Sequence, residues 1–435
     1  MDSASLRLPV ELLTLVFLCA QESDPGYIAG VCTFWREVAI SLPELWSNCA
    51  LIISGDDLDD RASTSSPISL RPQTWLQRST NLPFSLDITT LTRRFDQDSW
   101  LLPDTIILFR RIAPRLTELT LRASQLVLFH LFNETIPSSL PSLQTLSILG
   151  IPGGDVPSPS LSGKRRPSYF PSLRLLTLSS CFDLALFKLL GHLIPWYNLT
   201  SLTWYSATMA SREHSIFLLQ ITATTQSLTT CDLQLALPLT HNLGLIKNFK
   251  HLTLRFRSAS SMHFLNGLTL PLLETLELYK NFWPEPYPPQ INLQFTERLF
   301  TLCHRSSFPL TRLKIHGIRL RTSILVLFLT RVPTLVFLSV EYCHCLNSEF
   351  IGALAATKGD SNASAPRILP VLRHLIVSDS FPYDFTWKQS IQALTDLRCC
   401  LRRPRGMQPK PSPSSLLETL RIRAAEGDIM TYSRA

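Results

Sequence analysis

Apolar residues recur along most of the chain in the pattern Leu-x-x-Leu-x-Leu, in which the intervening positions are mostly polar. Eleven copies follow one another, most of them starting 21–30 residues apart, with three longer gaps of 37, 37 and 45 residues. In chain order the copies are Leu116/Leu119/Leu121, Leu143/Leu146/Ile148, Leu173/Leu176/Leu178, Leu199/Leu202/Trp204, Leu228/Cys231/Leu233, Phe249/Leu252/Leu254, Leu273/Leu276/Leu278, Leu310/Leu313/Ile315, Leu335/Leu338/Val340, Leu372/Leu375/Val377 and Leu417/Leu420/Ile422. Because side chains alternate along a strand, each copy predicts a short β-strand with one apolar face.

A pattern repeated at this period resembles leucine-rich repeats. The resemblance implies an irregular solenoid with a curved parallel sheet over residues 76–435, because one unit cannot bury its leucines alone and neighbouring units stack into a continuous core. Residues 183–193 and 322–330 are expected in the helical or irregular outer layer. The repeat consensus places Asn or Cys at the turn after the strand, and Cys343 meets it. Four insertions are expected to loop out: 152–167, 284–289, 358–366 and 404–413.

Residues 1–50 show a helical spacing of apolar residues instead. The first helix is expected to start near Pro9, and its apolar positions are Leu12, Leu13, Val16, Phe17 and Ala20. Residues 24–26 are expected to break the chain, after which a second helix runs through 28–39 and Pro43 starts a third short piece. About forty residues bury too little surface to be stable alone, so this module either packs on the rest of the chain or has its core completed by a partner.

The N-terminal segment also resembles the F-box, in the form common among fungal proteins. The resemblance rests on Leu8-Pro9-x-Glu11-Leu12-Leu13-x-x-Val16-Phe17, Val31-Cys32-x-x-Trp35-Arg36 and Leu42-Pro43-x-Leu45-Trp46. In that family the motif binds the Skp adaptor, which links it to a cullin scaffold and a RING ubiquitin ligase. The adaptor-binding residues that the resemblance implies are Leu8, Pro9, Leu12, Leu13, Phe17, Val31, Cys32 and Trp35, the last three holding the second helix.

The expected fold class is therefore α/β, with a small three-helix F-box module at 1–50, a polar linker at 51–75 and the repeat solenoid at 76–435. The linker contains four aspartates between residues 56 and 60. They lack the glycine and the downstream glutamate of a calcium loop, so we interpret them as solvated.

Composition excludes several classes of function. The 435 residues are 45% hydrophobic and 17% charged, which is typical of a folded chain. With only 15 glycines and no phosphate-binding, dinucleotide-binding or hydrolase motif, the chain is not expected to be an enzyme or to hold a cofactor. Cys343-His344-Cys345 and Cys303-His304 lack metal-finger spacing, so no metal is expected. The ten irregularly spaced cysteines indicate reduced thiols inside the cell.

Charge and hydropathy bear on location and partners. The net charge of +8 is concentrated at 398–423 and 164–166, where no aromatic residues are interleaved, so we interpret it as loop charge and do not expect nucleic-acid binding. No apolar run approaches the ~18 residues of a membrane span. An intracellular protein, cytoplasmic or nuclear and monomeric outside its complex, is expected. A secreted receptor remains an alternative, requiring cleavage after about residue 20 and glycosylation at Asn133 or Asn198.

Residues that flank the middle leucine of each copy are expected to project from the concave sheet face. The predicted target-binding residues on that face are Arg255, Tyr279, Arg312, Lys314 and His316. These types fit an unknown target protein, with an acidic or phosphorylated segment as one option.

Together these features predict a non-catalytic adaptor subunit of a Skp–cullin–F-box ubiquitin ligase, in which the repeat array binds the target. The alternative is a non-ligase repeat scaffold whose N-terminal helices merely cap the solenoid.

Overall fold

A computed structural model of the protein divides into two compact units, Met1–Leu199 with Tyr205–Thr208, and Thr200–Trp204 with Met209–Ala435. The structure describes residues 8–20, 25–53, 67–90, 109–132, 140–151, 170–179, 190–191, 193–205, 225–235, 244–245, 248–257, 260–280, 289–318, 320–343, 348–355, 368–378, 417–424 and 427–433.

The first unit begins with four short helical segments. These are α1 (Val10–Cys19), α2 (Pro25–Gly30), α3 (Thr33–Ile40) and a 3-10 helix (Pro43–Trp46). The single second helix predicted for this region is therefore two helices. Proline is favoured in the first turn of a helix, and Pro25 starts α2 instead of only breaking the chain. Cys32 adopts an extended backbone, and its sulfur accepts a hydrogen bond from the Trp35 N–H at 3.4 Å, which caps α3.

These helices lead directly into a parallel sheet. Strand β1 (Asn48–Ile53) pairs with β2 (Phe84–Thr90), which is followed by β3 (Leu116–Ser124), β4 (Thr145–Ile151) and β5 (Leu175–Ser179). Two helices accompany them, α4 (Pro67–Arg78) and α5 (Gln125–His130). The region predicted as a linker, 51–75, thus contains the end of β1 and most of α4, while the aspartates at 56–60 lie outside the described residues.

Apart from one pair of two-residue strands, the second unit carries eight parallel strands and the first unit five, thirteen in all among the described residues. The eight of the second unit are β6 (Ser201–Tyr205), β7 (Thr230–Leu235), β9 (His251–Phe256), β11 (Thr275–Lys280), β12 (Arg312–His316), β13 (Phe337–Glu341), β14 (His374–Ser378) and β15 (Thr419–Ala424). Strand β16 (Gly427–Ser433) pairs antiparallel with β15. Two-residue strands β8 (Gly244–Leu245) and β10 (Leu268–Thr269) form a separate pair.

The eleven predicted leucine copies coincide with eleven of the strands, β3 to β7, β9 and β11 to β15. Every apolar position of the eleven copies is buried, except Ile422, whose side chain is not described. Middle positions lie side by side in register, as in Leu252, Leu276 and Leu313 on three neighbouring strands. The prediction of a parallel sheet with one apolar face is therefore confirmed. Strands β1 and β2 were not predicted, because their apolar residues do not follow the six-residue pattern.

Helices on the apolar side of the second unit's sheet complete its core. They are α6 (Pro289–Ser306), α7 (Thr322–Thr330) and α8 (Ser348–Ala355), together with a 3-10 helix at Ser260–Gly267. The expected outer-layer segment 322–330 is α7, and it buries Leu325, Phe328 and Leu329. Most of the other, 183–193, lies outside the described residues, as do nearly all of the four predicted insertions.

Cys343 lies at the turn after β13, where the repeat consensus places it. Its thiol lies 3.2 Å from the Glu341 carbonyl oxygen and 3.5 Å from that of Ile315, and it is fully buried. The side chain therefore satisfies backbone acceptors at the end of the strand, a structural role. In the described ranges, no helix is both long and apolar enough to cross a membrane.

Candidate functional site

The predicted adaptor-binding residues fall into three groups by exposure. Leu8, Pro9, Leu12 and Val31 are exposed, Cys32 and Trp35 are half-buried, and Leu13 and Phe17 are fully buried. The buried pair faces the other helices, and the Phe17 and Trp35 rings meet edge to face with centroids 5.1 Å apart. Leu13 and Phe17 hold the module together, so a partner would meet the exposed residues beside them.

Helix α1 presents apolar side chains on its outer face as well as its inner one. Leu12, Leu15, Val16 and Cys19 are spaced three and four residues apart, and all four are exposed. Leu15 is 58% exposed and Leu12 49%. A surface helix normally carries polar residues on the face away from its core. Leu15 was not among the predicted contacts, although its spacing from Leu12 places it on the same face.

The five predicted target-binding residues lie together on three neighbouring strands of the second unit. Arg255 on β9, Tyr279 on β11 and His316 on β12 share one register row across the sheet. Arg312 and Lys314 stand earlier on β12, on the same face. All five project away from the leucine core, as strand alternation predicts.

Each of the three cations on this face has a carboxylate partner. Arg255 contacts both oxygens of Asp232 at 3.2 and 3.1 Å, Arg312 lies 3.4 Å from Glu277, and Lys314 lies 3.6 Å from Glu341. These six side chains carry no net charge as a group. The sequence does not predict this pairing, because it depends on the register between strands.

Aromatic rings connect the ion pairs. The Arg255 guanidinium carbon lies 4.6 Å from the Tyr279 ring centroid, and the Lys314 ammonium lies 5.4 Å from it. Tyr279, His316 and Tyr342 follow one another with centroid distances of 5.9 and 5.2 Å; we call these three rings the aromatic ladder. Burial, and then the hydrogen bond that the Tyr279 hydroxyl donates to Glu277 at 2.8 Å, raise the pKa of Tyr279. The Tyr279 hydroxyl therefore stays protonated.

His316 should make the stability of the second unit depend on pH. Burial lowers the pKa of His316, Lys314 lowers it further, and Glu341 opposes both. The pKa of His263 is also lowered, by burial and then by Arg298. Because the histidine pKa is lower in the folded protein than in the unfolded chain, the unfolded chain binds more protons at pH values between the two. The histidines' contribution to stability is therefore fully present above the ordinary histidine pKa and is lost as the pH falls towards the folded pKa.

We therefore expect the urea concentration at the unfolding midpoint to decrease when the pH is lowered from about 7 to about 5.5. Unperturbed histidine titrates within this range. His316→Gln should reduce this fall without abolishing it, because His263 contributes in the same direction. Urea titrations of both proteins at the two pH values, followed by circular dichroism, measure the difference. An equal fall in wild type and variant would contradict the role given to His316.

Comparison with known proteins finds no protein-family model that matches the chain, and the search of curated proteins also gives no match. Among the residues that the structure describes, no three His, Cys, Asp or Glu side chains are grouped to hold a metal ion. Two surfaces of the described residues are candidate binding sites: the exposed face of α1 in the first unit, and the aromatic ladder with its ion pairs in the second.

Proposed function

We propose that the chain is a substrate-recognition adaptor of a Skp–cullin–F-box type ubiquitin ligase, acting in the cytoplasm or nucleus. The observation that carries the proposal is the exposed apolar face of α1, which lies where the sequence resembles the F-box. On this proposal Leu8, Leu12 and Val31 contact the Skp adaptor, while Leu13 and Phe17 form the core that supports them.

The apolar content of α1 supports a permanent partner. Burying a large aliphatic side chain stabilises a protein by about 1.5–3 kcal/mol, and α1 leaves Val10, Leu12, Leu15 and Val16 nearly half exposed or more. Contiguous apolar surface on a soluble protein typically marks an interaction site. A complex in which a partner covers these side chains would be stabilised by burying apolar surface that is exposed in this chain alone.

The second half of the proposal concerns the parallel sheets. The leucine copies, their burial and their register support an irregular leucine-rich-repeat solenoid. On this proposal the polar and aromatic face of the second unit binds the target, and ubiquitin transfer belongs to partner subunits. The chain then needs no nucleophile or cofactor of its own.

Leu12→Asp tests the adaptor contact. Because Leu12 is exposed, the variant should keep the wild-type circular dichroism spectrum, but a charge within an apolar interface should weaken binding to the Skp adaptor by about thirtyfold or more. Co-expression, co-purification and calorimetric titration give the affinity. Asn48→Asp is the matched control, because it adds the same charge at an exposed polar position of β1.

A folded wild-type protein that does not bind the adaptor would contradict the proposal and favour the scaffold alternative. One observation already supports that alternative. Strand β1 follows the 3-10 helix and pairs with β2 along its whole length, and the Trp46 ring lies 6.4 Å from that of Trp75 on α4. The N-terminal helices are thus joined to the first sheet, as a cap would be.

A further inference from the structure

Strands β12 and β13 are each followed directly by a residue with left-handed backbone. Gly317 follows β12 with φ +70°, and Tyr342 follows β13 with φ +56°. The two positions are equivalent, since each comes directly after the paired residues His316 and Glu341. Glycine adopts this conformation freely, whereas a bulky residue pays about 1–2 kcal/mol for it. Tyrosine therefore stands where the fold itself favours glycine.

Neighbouring groups hold Tyr342 in this conformation. Its N–H donates to the Ser378 carbonyl at 2.6 Å, and the Gly317 N–H donates to the Glu341 carbonyl at 2.8 Å. The next residue, Cys343, is anchored by the buried thiol described above. Strained residues persist where the surroundings determine them, and they concentrate at binding sites. The strain places the Tyr342 ring at the end of the aromatic ladder, with 40% of the residue exposed.

Two other rings of this surface, those of Tyr279 and Phe337, already have a cation over them. Arg255 lies over Tyr279, and the Arg312 guanidinium carbon lies 4.0 Å from the Phe337 ring centroid. Within the part of the chain that the structure describes, no cation lies over Tyr342. The exposed Tyr342 ring thus offers an incoming cation the arrangement that is found twice beside it.

A phosphate group is disfavoured on this face because it would have to displace carboxylates from their cations. Asp232, Glu277 and Glu341 already pair with Arg255, Arg312 and Lys314, so a phosphate group would compete with three carboxylates. A guanidinium stacked on the Tyr342 ring leaves these three ion pairs intact. The ring next to Tyr342 belongs to His316, and burial lowers the pKa of its imidazole. A neutral imidazole does not repel an arriving guanidinium.

We infer that the exposed ring of Tyr342 receives an arginine side chain of an unmodified protein target, with the aromatic ladder as its rigid support. This inference rests on the proposed target-binding role of the second unit and specifies the chemistry of the target. A guanidinium is planar and weakly hydrated, so it stacks on aromatic faces better than an ammonium does. Recognition then requires no phosphorylation of the target.

Fluorescein-labelled pools of short peptides with neutral random flanks test the inference on the full-length chain. The pools differ in one fixed central residue: arginine, citrulline, lysine or phosphoserine. Anisotropy titrations compare wild type with Tyr342→Asn and Tyr342→Phe. Asparagine tolerates left-handed backbone, so Tyr342→Asn removes the ring without added strain, whereas Tyr342→Phe keeps the ring. Circular dichroism verifies that each protein is folded.

The arginine pool should bind wild type and Tyr342→Phe about tenfold more tightly than it binds Tyr342→Asn, and about tenfold more tightly than the citrulline pool binds wild type. Equal binding to wild type and Tyr342→Asn, a preference for phosphoserine, or no binding of any pool would overturn the inference. Titrating the Skp adaptor into the same samples separates the two proposals, because adaptor docking can succeed or fail independently of the peptide result.

Discussion

Leu276→Asp is expected to unfold the second unit. Leu276 is fully buried at the middle position of β11, between Leu252 and Leu313 on the adjoining strands. Truncating such a leucine to alanine costs about 2–5 kcal/mol, and an unpaired buried carboxylate adds several more. A typical domain has only about 5–15 kcal/mol of stability. The variant should lose most of the second unit's circular dichroism signal and its cooperative urea transition.

Thr275→Asp is the matched control, because Thr275 lies one residue earlier on β11 with its side chain on the opposite face of the sheet. There it is half-buried and lies between His251 and Arg312 in the strand register. A carboxylate beside a guanidinium is tolerated at such a position, so the urea midpoint should change little. If both variants unfolded alike, or if both stayed folded, the inward and outward faces assigned to β11 would be wrong.

The two faces of β11 illustrate why the sheet could be predicted from sequence. A strand's two faces depend only on the alternation of neighbouring residues, and the period of the copies implies that each strand lies beside the next. Both properties are local or repetitive. Strand β1 escaped prediction because it occurs once, outside the repeated pattern, at the end of helices whose spacing dominated the interpretation of residues 1–50.

The candidate sites were predictable only in part. Alternation placed Tyr279 and His316 on one face, and register brought them within ring contact. The pairing of Arg255 with Asp232 depends on residues from β7 and β9, which no single copy contains. Tyr342 was missed because its left-handed backbone is fixed by Ser378 on a strand about thirty-five residues away, a contact that alternation rules do not reach. In the N-terminal module, spacing found apolar faces but could not tell the inner from the outer one.

Phe17→Ala tests which face of α1 is the inner one. Phe17 is 1% exposed and its ring packs edge to face on Trp35, so truncation should cost about 3–5 kcal/mol. A module of fewer than fifty residues has little stability in reserve. We expect the N-terminal helices to unfold while the repeat strands of the second unit stay formed. Hydrogen exchange read by mass spectrometry should show lost protection within residues 8–46.

Val16→Ala is the control for Phe17→Ala, because it shortens the neighbouring side chain on the outer face, where Val16 is 49% exposed. It should leave hydrogen-exchange protection unchanged. Both variants should weaken binding to the Skp adaptor, but for different reasons: Val16→Ala by removing contact surface, Phe17→Ala by unfolding the helix that carries it. Unchanged protection in Phe17→Ala would mean that its side chain is not part of the module's core. Phe17 would then contact the adaptor directly, as the F-box resemblance implies, instead of supporting α1 from within the core.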